Sequence, residues 1–168
     1  QVMTTKLSRR EQEKEARRRH MLEAAREVFA ERGFRRATLD EIAVRAEFGK
    51  GTIYNYFPEG KDQMLFDILD TLHEELHRVT KEAFDPDNGS FASALERYLE
   101  AFLEFFMGKE DLFVISMKEN NRFAFGDDPS KATYFKEQHK RYKDVLEPNV
   151  ELAIASGDLK PFSPQAIT

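Results

Sequence analysis

The sequence contains no cysteine and no long apolar run. Without cysteine, disulfide bonds and thiolate metal sites are excluded. The longest strongly apolar run, Leu112–Ile115, is far too short for a transmembrane helix, which needs about 20 apolar residues. The beginning of the chain is highly charged, so we expect no signal peptide. We therefore expect a soluble, cytoplasmic protein.

Sustained alternation of apolar and polar residues, which would indicate half-buried strands, is also missing. Apolar residues recur instead at helical spacing throughout the chain. A chain of 168 residues buries roughly 70% of its unfolded surface when it folds. We therefore expect an all-α protein that needs no covalent cross-links.

The net charge of −5 conceals an uneven distribution. Residues 1–57 carry 13 Lys and Arg against 9 Asp and Glu, whereas residues 58–168 carry 13 against 22. The front of the chain is therefore positive by 4 charges and the remainder is negative by 9. This asymmetry indicates an anionic partner at the front only, although ordinary solvated helix faces would have the same balance.

Helix-start and helix-stop signals predict short helices at the front of the chain. Two capping boxes, Ser8 with Glu11 and Thr38 with Glu41, predict where the first two helices begin. Gly33 is expected to end the first helix in a left-handed conformation.

A third short helix is expected at about 50–56, with Ile53 and Phe57 as its buried anchors. Residues 58–60 break it. Longer helical patterns then follow at about 61–83, 91–107, 110–122 and 130–156.

Two features complicate the last part of the chain. A loop is expected at 121–129, and Pro148 is expected to kink or break the last long helix. Ser163 and Pro164 form a helix-start signal with almost no chain behind it. We therefore expect that the chain has been cut short.

The stretch from Thr38 to Phe57, TLDEIAVRAEFGKGTIYNYF, has the form of a helix-turn-helix unit. In such a unit the second helix enters the major groove of DNA while the first crosses the phosphate backbone. The second helix here is rich in small, basic and hydroxyl-bearing residues. This composition suits DNA contact better than burial in a core.

The residue types in this unit match the groups that DNA offers. A glycine lets the backbone come close to a phosphate or a base, and a lysine supplies charge for a phosphate. Threonine and asparagine suit base edges, and hydroxyl groups suit phosphate oxygens. Alternatively, the tyrosines pack against neighbouring helices and Thr38 only caps its helix. The candidate DNA contacts are Thr38, Lys50, Gly51, Thr52, Tyr54, Asn55 and Tyr56.

The segment from Met21 to Leu65 resembles the DNA-binding domain of the TetR (tetracycline repressor) family of transcriptional regulators. The matching pieces are LEAAREVFAERGF (Leu22–Phe34), the T-x-x-E-I-A-x-x-A pattern (Thr38–Ala46), KGTIYNYF (Lys50–Phe57) and Lys61.

This resemblance implies an N-terminal three-helix DNA-binding domain joined by a linker helix to a C-terminal helical ligand-binding domain. We place these domains at 1–60 and 61–168. The resemblance also implies a homodimer that binds a palindromic operator in double-stranded DNA and acts as a ligand-responsive repressor. It adds Lys61 to the DNA contacts and marks Asn55 as a variable position that sets specificity.

The turn and the N-terminal segment with arginines at 17–19, here called the leader, add two further expectations. The turn residues Glu47, Phe48 and Gly49 depart from the glycine, aliphatic residue and serine that are usual in the family. A glutamate at positive φ would cost on the order of 1 kcal/mol, so we expect a turn of another shape. The arginines at 17–19 contact DNA or, as an equal alternative, form a solvated helix face.

Nine of the fifteen phenylalanines lie within residues 84–135. Aromatic and methionine side chains at helical spacing usually form a core, but here they exceed what one helix face needs. Such side chains suit a small apolar or aromatic effector. The candidate ligand-binding residues are Phe102, Phe105, Phe106, Phe113 and Met117.

An enzymatic alternative comes from His73, Glu74 and His77, which match the H-E-x-x-H signature of zinc hydrolases. The match is loose, because a zinc site would need a third ligand and an open cleft. We therefore predict no enzyme, no cofactor and no metal. A further alternative is a helical small-molecule-binding module that does not bind DNA.

Overall fold

The computed structural model describes residues 8–85, 89–124 and 129–160. The side chains of residues 120–131 are not described. Within these ranges the chain forms seven α-helices and no strand. The helices are α1 (Arg9–Arg32), α2 (Leu39–Arg45), α3 (Lys50–Tyr56), α4 (Lys61–Ala83), α5 (Phe91–Phe106), α6 (Glu110–Ala124) and α7 (Pro129–Ser156).

The described residues divide into two compact units. The first comprises the chain up to Thr71 together with Asp111–Met117, and the second comprises Leu72–Glu110 and the residues from Lys118 onward. The division therefore falls inside α4 and inside α6. The domain boundary that the sequence places after residue 60 stays a prediction.

Both predicted capping boxes are present. The backbone N–H of Ser8 donates to the Glu11 carboxylate at 2.8 Å, and the N–H of Glu11 donates back to Ser8 Oγ at 3.3 Å. Thr38 and Glu41 form the same pair of bonds at the start of α2, at 3.0 and 3.2 Å. Each box satisfies backbone donors that a helix start otherwise leaves free.

Gly33 ends α1, but its conformation differs from the prediction. Its N–H donates to the Phe29 carbonyl at 2.9 Å, and its φ is positive at 76°. Its ψ of 146° is extended, so the expected left-handed helical geometry is wrong. Only glycine adopts this region readily. The chain folds back onto the last turn of α1, since the rings of Phe29 and Phe34 lie 5.2 Å apart.

The core of the first unit draws side chains from all of its helices. Burial of these apolar side chains is the main source of its stability. Its members include Met21, Ala25, Val28, Phe29, Ile42, Ala43, Ile53, Phe57, Met64, Leu65 and Leu69. From α6, Leu112 and Ile115 are buried as well, and Asp111 pairs with Arg26 of α1 at 2.5 Å.

In the second unit, α4 buries an apolar stripe formed by Leu72, Leu76, Val79 and Ala83. Near its end, the Phe84 ring lies 5.5 Å from that of Phe91 and 6.0 Å from that of Tyr98. Val145 and Leu146 of α7 pack against the same cluster. This packing joins α4, α5 and α7 within the unit.

The bounds of the last two helices differ from those expected. Residues 121–124 of the expected loop are helical and α7 begins at Pro129, a first-turn position that proline tolerates, while residues 125–128 lie outside the described residues. α7 continues through Pro148 to Ser156, so the helix does not break there, and the kink stays a prediction. The loss of one backbone hydrogen bond does not end a helix of 28 residues. The helix start predicted at Ser163 lies outside the described residues. None of the described helices is both long and apolar enough to span a membrane.

Candidate nucleic-acid interface

The turn between α2 and α3 places the two helices of the helix-turn-helix unit. Glu47 has a φ of 56°, so the expectation that the turn avoids a left-handed glutamate is wrong. The N–H of Glu47 donates to the Val44 carbonyl at 3.2 Å, and the N–H of Phe48 donates to the Ala43 carbonyl at 3.0 Å. These two bonds offset the local cost of the positive φ.

Two buried side chains fix the orientation of α3. Ile53 and Phe57 are both 0% exposed, and the Arg18 guanidinium lies 5.0 Å from the centre of the Phe57 ring. These anchors are the ones that the sequence predicts. Because they face inward, the opposite side of α3 is left to solvent. On that side Lys50, Gly51, Tyr54 and Asn55 are exposed, while Thr52 and Tyr56 are half-buried.

Gly51 has no structural reason inside the protein. A Cβ atom added there would meet no atom within 4 Å beyond its chain neighbours and the backbone of its own helix, and the residue is exposed. Glycine within a helix costs about 1 kcal/mol relative to alanine. Since packing inside the protein does not require a glycine here, its missing side chain is best explained by a binding partner that comes close to this face of α3.

Lys50, the first residue of α3, is paired with a carboxylate of α2. Its Nζ lies 2.9 Å from Oδ1 and 3.0 Å from Oδ2 of Asp40. The hydrogen bond to Asp40, followed by the charge of that carboxylate, raises the pKa of Lys50. The sequence did not point to Asp40 as part of the site. Asp40 and Lys50 are ten positions apart and lie on two different helices, so no helical periodicity links them.

Thr38 acts as the N-cap of α2. Its Oγ1 donates to the Glu41 carboxylate at 2.9 Å, and hydrogen bonds from Thr38 lower the pKa of Glu41. Thr38 is nevertheless exposed. Its capping role is therefore present, and its contact with phosphate stays a prediction.

Lys61 has a different environment from the other candidate contacts. Its Nζ donates to the carbonyl oxygens of Phe34 and Ala37, both at 2.9 Å, and to that of Arg35 at 3.3 Å. It also lies 4.8 Å from the centre of the Phe34 ring. These bonds employ all three ammonium protons. The ammonium group thus holds the loop between α1 and α2, which leads directly to Thr38.

Lys61→Met is expected to destabilise the protein by about 1–3 kcal/mol, because three carbonyl oxygens lose their donor. DNA affinity should fall through the misplaced loop, while the slope of log affinity against log salt stays unchanged. Thermal melting and binding titrations at several salt concentrations measure the two effects. The control is Lys81→Met, which removes an exposed lysine of the same helix. Unchanged melting with a salt slope flatter by about 0.9 would instead identify a phosphate contact.

The arginines of the leader have separate roles. Arg18 Nη2 donates to Asp67 at 2.6 Å, while Arg17 and Arg19 are exposed. Burial raises the pKa of Asp67, and the Arg18 charge opposes that change only in part. Arg18 thus joins α1 to α4 and stacks on Phe57, which leaves Arg17 and Arg19 as the leader's candidates for DNA.

The predicted ligand residues do not all belong to one unit. In the second unit, the Phe106 ring lies 4.8 Å from that of Phe102 and 5.0 Å from that of Phe105. Phe113 and Met117 belong to the first unit and are 40% and 46% exposed.

A cleft of about 290 Å³ lies elsewhere in the second unit. It is lined by residues from the end of α4, the start of α5 and the end of α7, among them Asp85, Ser90, Phe91, Asn149 and Asp158. None of the five predicted ligand residues lines this cleft. The ligand site therefore stays a prediction.

The two histidines of the H-E-x-x-H match contact α7. His73 is buried, and its Nδ1 lies 3.1 Å from the Tyr142 hydroxyl oxygen. Glu74 pairs with Arg141 at 2.8 Å, and that bond lowers the pKa of Glu74. Burial lowers the pKa of His77. Across the described residues, no group of three or more metal-binding side chains could hold a metal ion.

Comparison with known proteins places the chain among bacterial regulators. Residues 21–68 match the family described as bacterial regulatory proteins, tetR family. The HTH-type transcriptional repressor KstR2 of Mycobacterium tuberculosis is 30% identical over 153 residues, which cover 86% of this chain and 72% of that protein. YhgD, an HTH-type transcriptional regulator of Bacillus subtilis, is 29% identical over 149 residues, which cover 89% of this chain and 75% of that protein.

Solved structures show the same fold. The ketosteroid transcriptional regulator KstR2 of Mycobacterium tuberculosis superposes with a TM-score of 0.71 and 26% identity. The match covers 84% of this chain and 69% of that one. The all-α fold expected from the sequence is therefore confirmed.

Proposed function

Because the chain belongs to the tetR family of bacterial regulatory proteins, we propose that it represses transcription from a palindromic operator and is released by a small effector. Membership of the family makes the chain a helix-turn-helix transcriptional regulator. Our proposal adds four points: a palindromic operator, a homodimer that binds it, repression of transcription, and a small effector.

The observation that carries the proposal is the outward face of α3. This helix is anchored by Ile53 and Phe57, and it presents a lysine, a glycine with open space around it, and an asparagine to solvent. Such a face suits the major groove, where the backbone comes close to DNA and side chains reach base edges. The candidate contacts are Thr38, Lys50, Gly51, Thr52, Tyr54, Asn55 and Tyr56. Lys61, the remaining contact predicted from the sequence, is assigned to holding the loop before Thr38.

Dimerisation follows from the geometry of a palindrome. Two reading helices of a symmetric dimer must lie about 34–36 Å apart to enter successive major grooves. We assign DNA binding to residues 1–60, and effector binding and dimerisation to residues 61–168.

Repression and the effector are supported by relatives. KstR2 is described as a transcriptional repressor and as a ketosteroid transcriptional regulator. The cluster of Phe102, Phe105 and Phe106 suits an apolar or planar effector of this general kind. Phe113 and Met117 complete the proposed set.

Selection of bound sequences from a random pool of duplexes tests the DNA-binding proposal. Lys50→Ala should weaken binding to every duplex about equally, because the lysine is assigned to a phosphate. Asn55→Ala should instead change the preferred base by roughly 1–3 kcal/mol at one base pair. Binding titrations of the selected duplex and its single-base variants separate the two patterns.

If neither substitution changes DNA affinity, α3 is not the reading helix. If the parent protein binds no duplex even at low salt, the chain is a helical module without DNA binding. Titration of the complex with lipophilic and aromatic compounds tests the effector, whose binding should release the DNA.

A further inference from the structure

Asp40 has no assigned role in DNA binding, and its position beside Lys50 gives it one. We propose that Asp40 attenuates DNA affinity by holding the ammonium group of Lys50, which a DNA phosphate must take over. This inference rests on the proposed function, because it concerns the same interface.

The helix-turn-helix unit has few basic groups, so the pairing of Lys50 with Asp40 matters for its attraction to DNA. Among residues 38–57 the basic residues are Arg45 and Lys50, against three carboxylates at positions 40, 41 and 47. Both basic groups are paired inside the protein. The helix-turn-helix residues 38–57, which we propose bind the polyanion DNA, therefore carry no net positive charge of their own.

The two pairs differ in how firmly they are held. Arg45 of α2 donates to two carboxylates of α1, Glu27 at 2.9 Å and Glu31 at 2.9 and 3.0 Å. Lys50 pairs with the single carboxylate of Asp40 at 2.9 Å. The Arg45 bonds hold α2 to α1, whereas the Lys50 pair is the one that a phosphate can replace.

Exposure makes the exchange feasible. The side chains of Lys50 and Asp40 are 49% and 70% exposed, so water and a phosphate oxygen can reach both. Exposed ion pairs are only weakly stabilising, because water solvates the separated charges well. A phosphate that takes the ammonium group nevertheless faces two costs, since the pair must open and the freed carboxylate remains close to another anion. Both costs apply to every DNA sequence.

The test is Asp40→Asn, which keeps the shape of the side chain and removes its charge. Affinity for a random-sequence duplex, and for the selected duplex, should rise about threefold to tenfold, and the salt slope should steepen by up to about 0.9. Fluorescence anisotropy between about 50 and 200 mM salt measures both quantities. Asp40→Ser is a second variant if the asparagine destabilises the fold.

A matched control separates the local effect from a change in net charge. Asp144 of α7 pairs with Lys140 at 3.0 Å in the same kind of exposed ion pair. Asp144→Asn adds the same charge and should leave affinity within about twofold of the parent, because it lies outside the helix-turn-helix unit. An equal rise in both variants would overturn the proposal.

A double-mutant cycle tests whether Asp40 acts through Lys50. In a Lys50→Gln background there is no ion pair to open, so Asp40→Asn should keep only the part of its effect that comes from repulsion between the carboxylate and DNA. A rise that persists undiminished in that background overturns the proposed exchange, as does any loss of affinity in Asp40→Asn itself. Failure of the parent and of every variant to bind any duplex would instead overturn the proposed function, and this inference with it.

Discussion

Phe57→Ala is expected to lower the free energy of unfolding of the first unit by about 3–5 kcal/mol. The Phe57 ring is 0% exposed, and its backbone N–H caps α3 by donating to the Ile53 carbonyl at 2.8 Å. Truncation removes a large apolar side chain, leaves a cavity, and takes away the ring on which the Arg18 guanidinium lies. The loss should therefore combine the transfer of apolar surface to water with lost packing.

Chemical denaturation followed by circular dichroism measures this effect. The control is Tyr54→Ala, which removes an exposed aromatic ring from α3, the helix that Phe57 caps, and should cost about 1 kcal/mol or less. DNA binding of Phe57→Ala should weaken as well, because α3 loses an anchor. A denaturation midpoint equal to that of the parent would show that Phe57 does not belong to the core.

Gly51→Glu is expected to reduce DNA affinity about a hundredfold or more, since a like charge at a close interface costs several kcal/mol. The new side chain would be added where the backbone is proposed to approach DNA. The fold itself should tolerate it, because an added Cβ meets no atom within 4 Å beyond its chain neighbours and the backbone of its own helix. Glutamate also favours a helix more than glycine does, so the melting temperature should stay or rise.

Anisotropy titrations on the selected duplex and thermal melting together check this prediction. Ala155→Glu places the same negative charge at an exposed position of α7 and should leave affinity nearly unchanged. Gly51→Ala should fall between the parent and Gly51→Glu. Full affinity in Gly51→Glu would show that DNA does not come close to this position.

Local signals predicted most of the fold. The two capping boxes, the anchors Ile53 and Phe57, and the bounds of α3 and α4 follow from residues that lie close together in the chain. Their physics is local, because a cap satisfies donors within one turn and an apolar stripe follows the helical repeat. The family was recognisable from the sequence because its motifs are also local patterns, which lie between Met21 and Leu65.

The wrong expectations arose where a local preference met a stronger constraint. Glu47 takes a positive φ because the turn supplies hydrogen bonds around it. Pro148 stays inside α7 because one missing bond is small against the rest of that helix. In both cases the propensity was judged correctly, but the surroundings outweighed it.

The sequence by itself determined the all-α architecture, the helix-turn-helix unit and the residue types of its outer face. Only the tertiary structure decided which partners the charged groups take: Lys50 with Asp40, Lys61 with the loop after α1, and Arg18 with Asp67. A helix and its cap depend on neighbours within about four positions, whereas an ion pair depends on where the fold brings distant residues together. The sequence offers each lysine and arginine many carboxylates, and only their positions in the fold select among them.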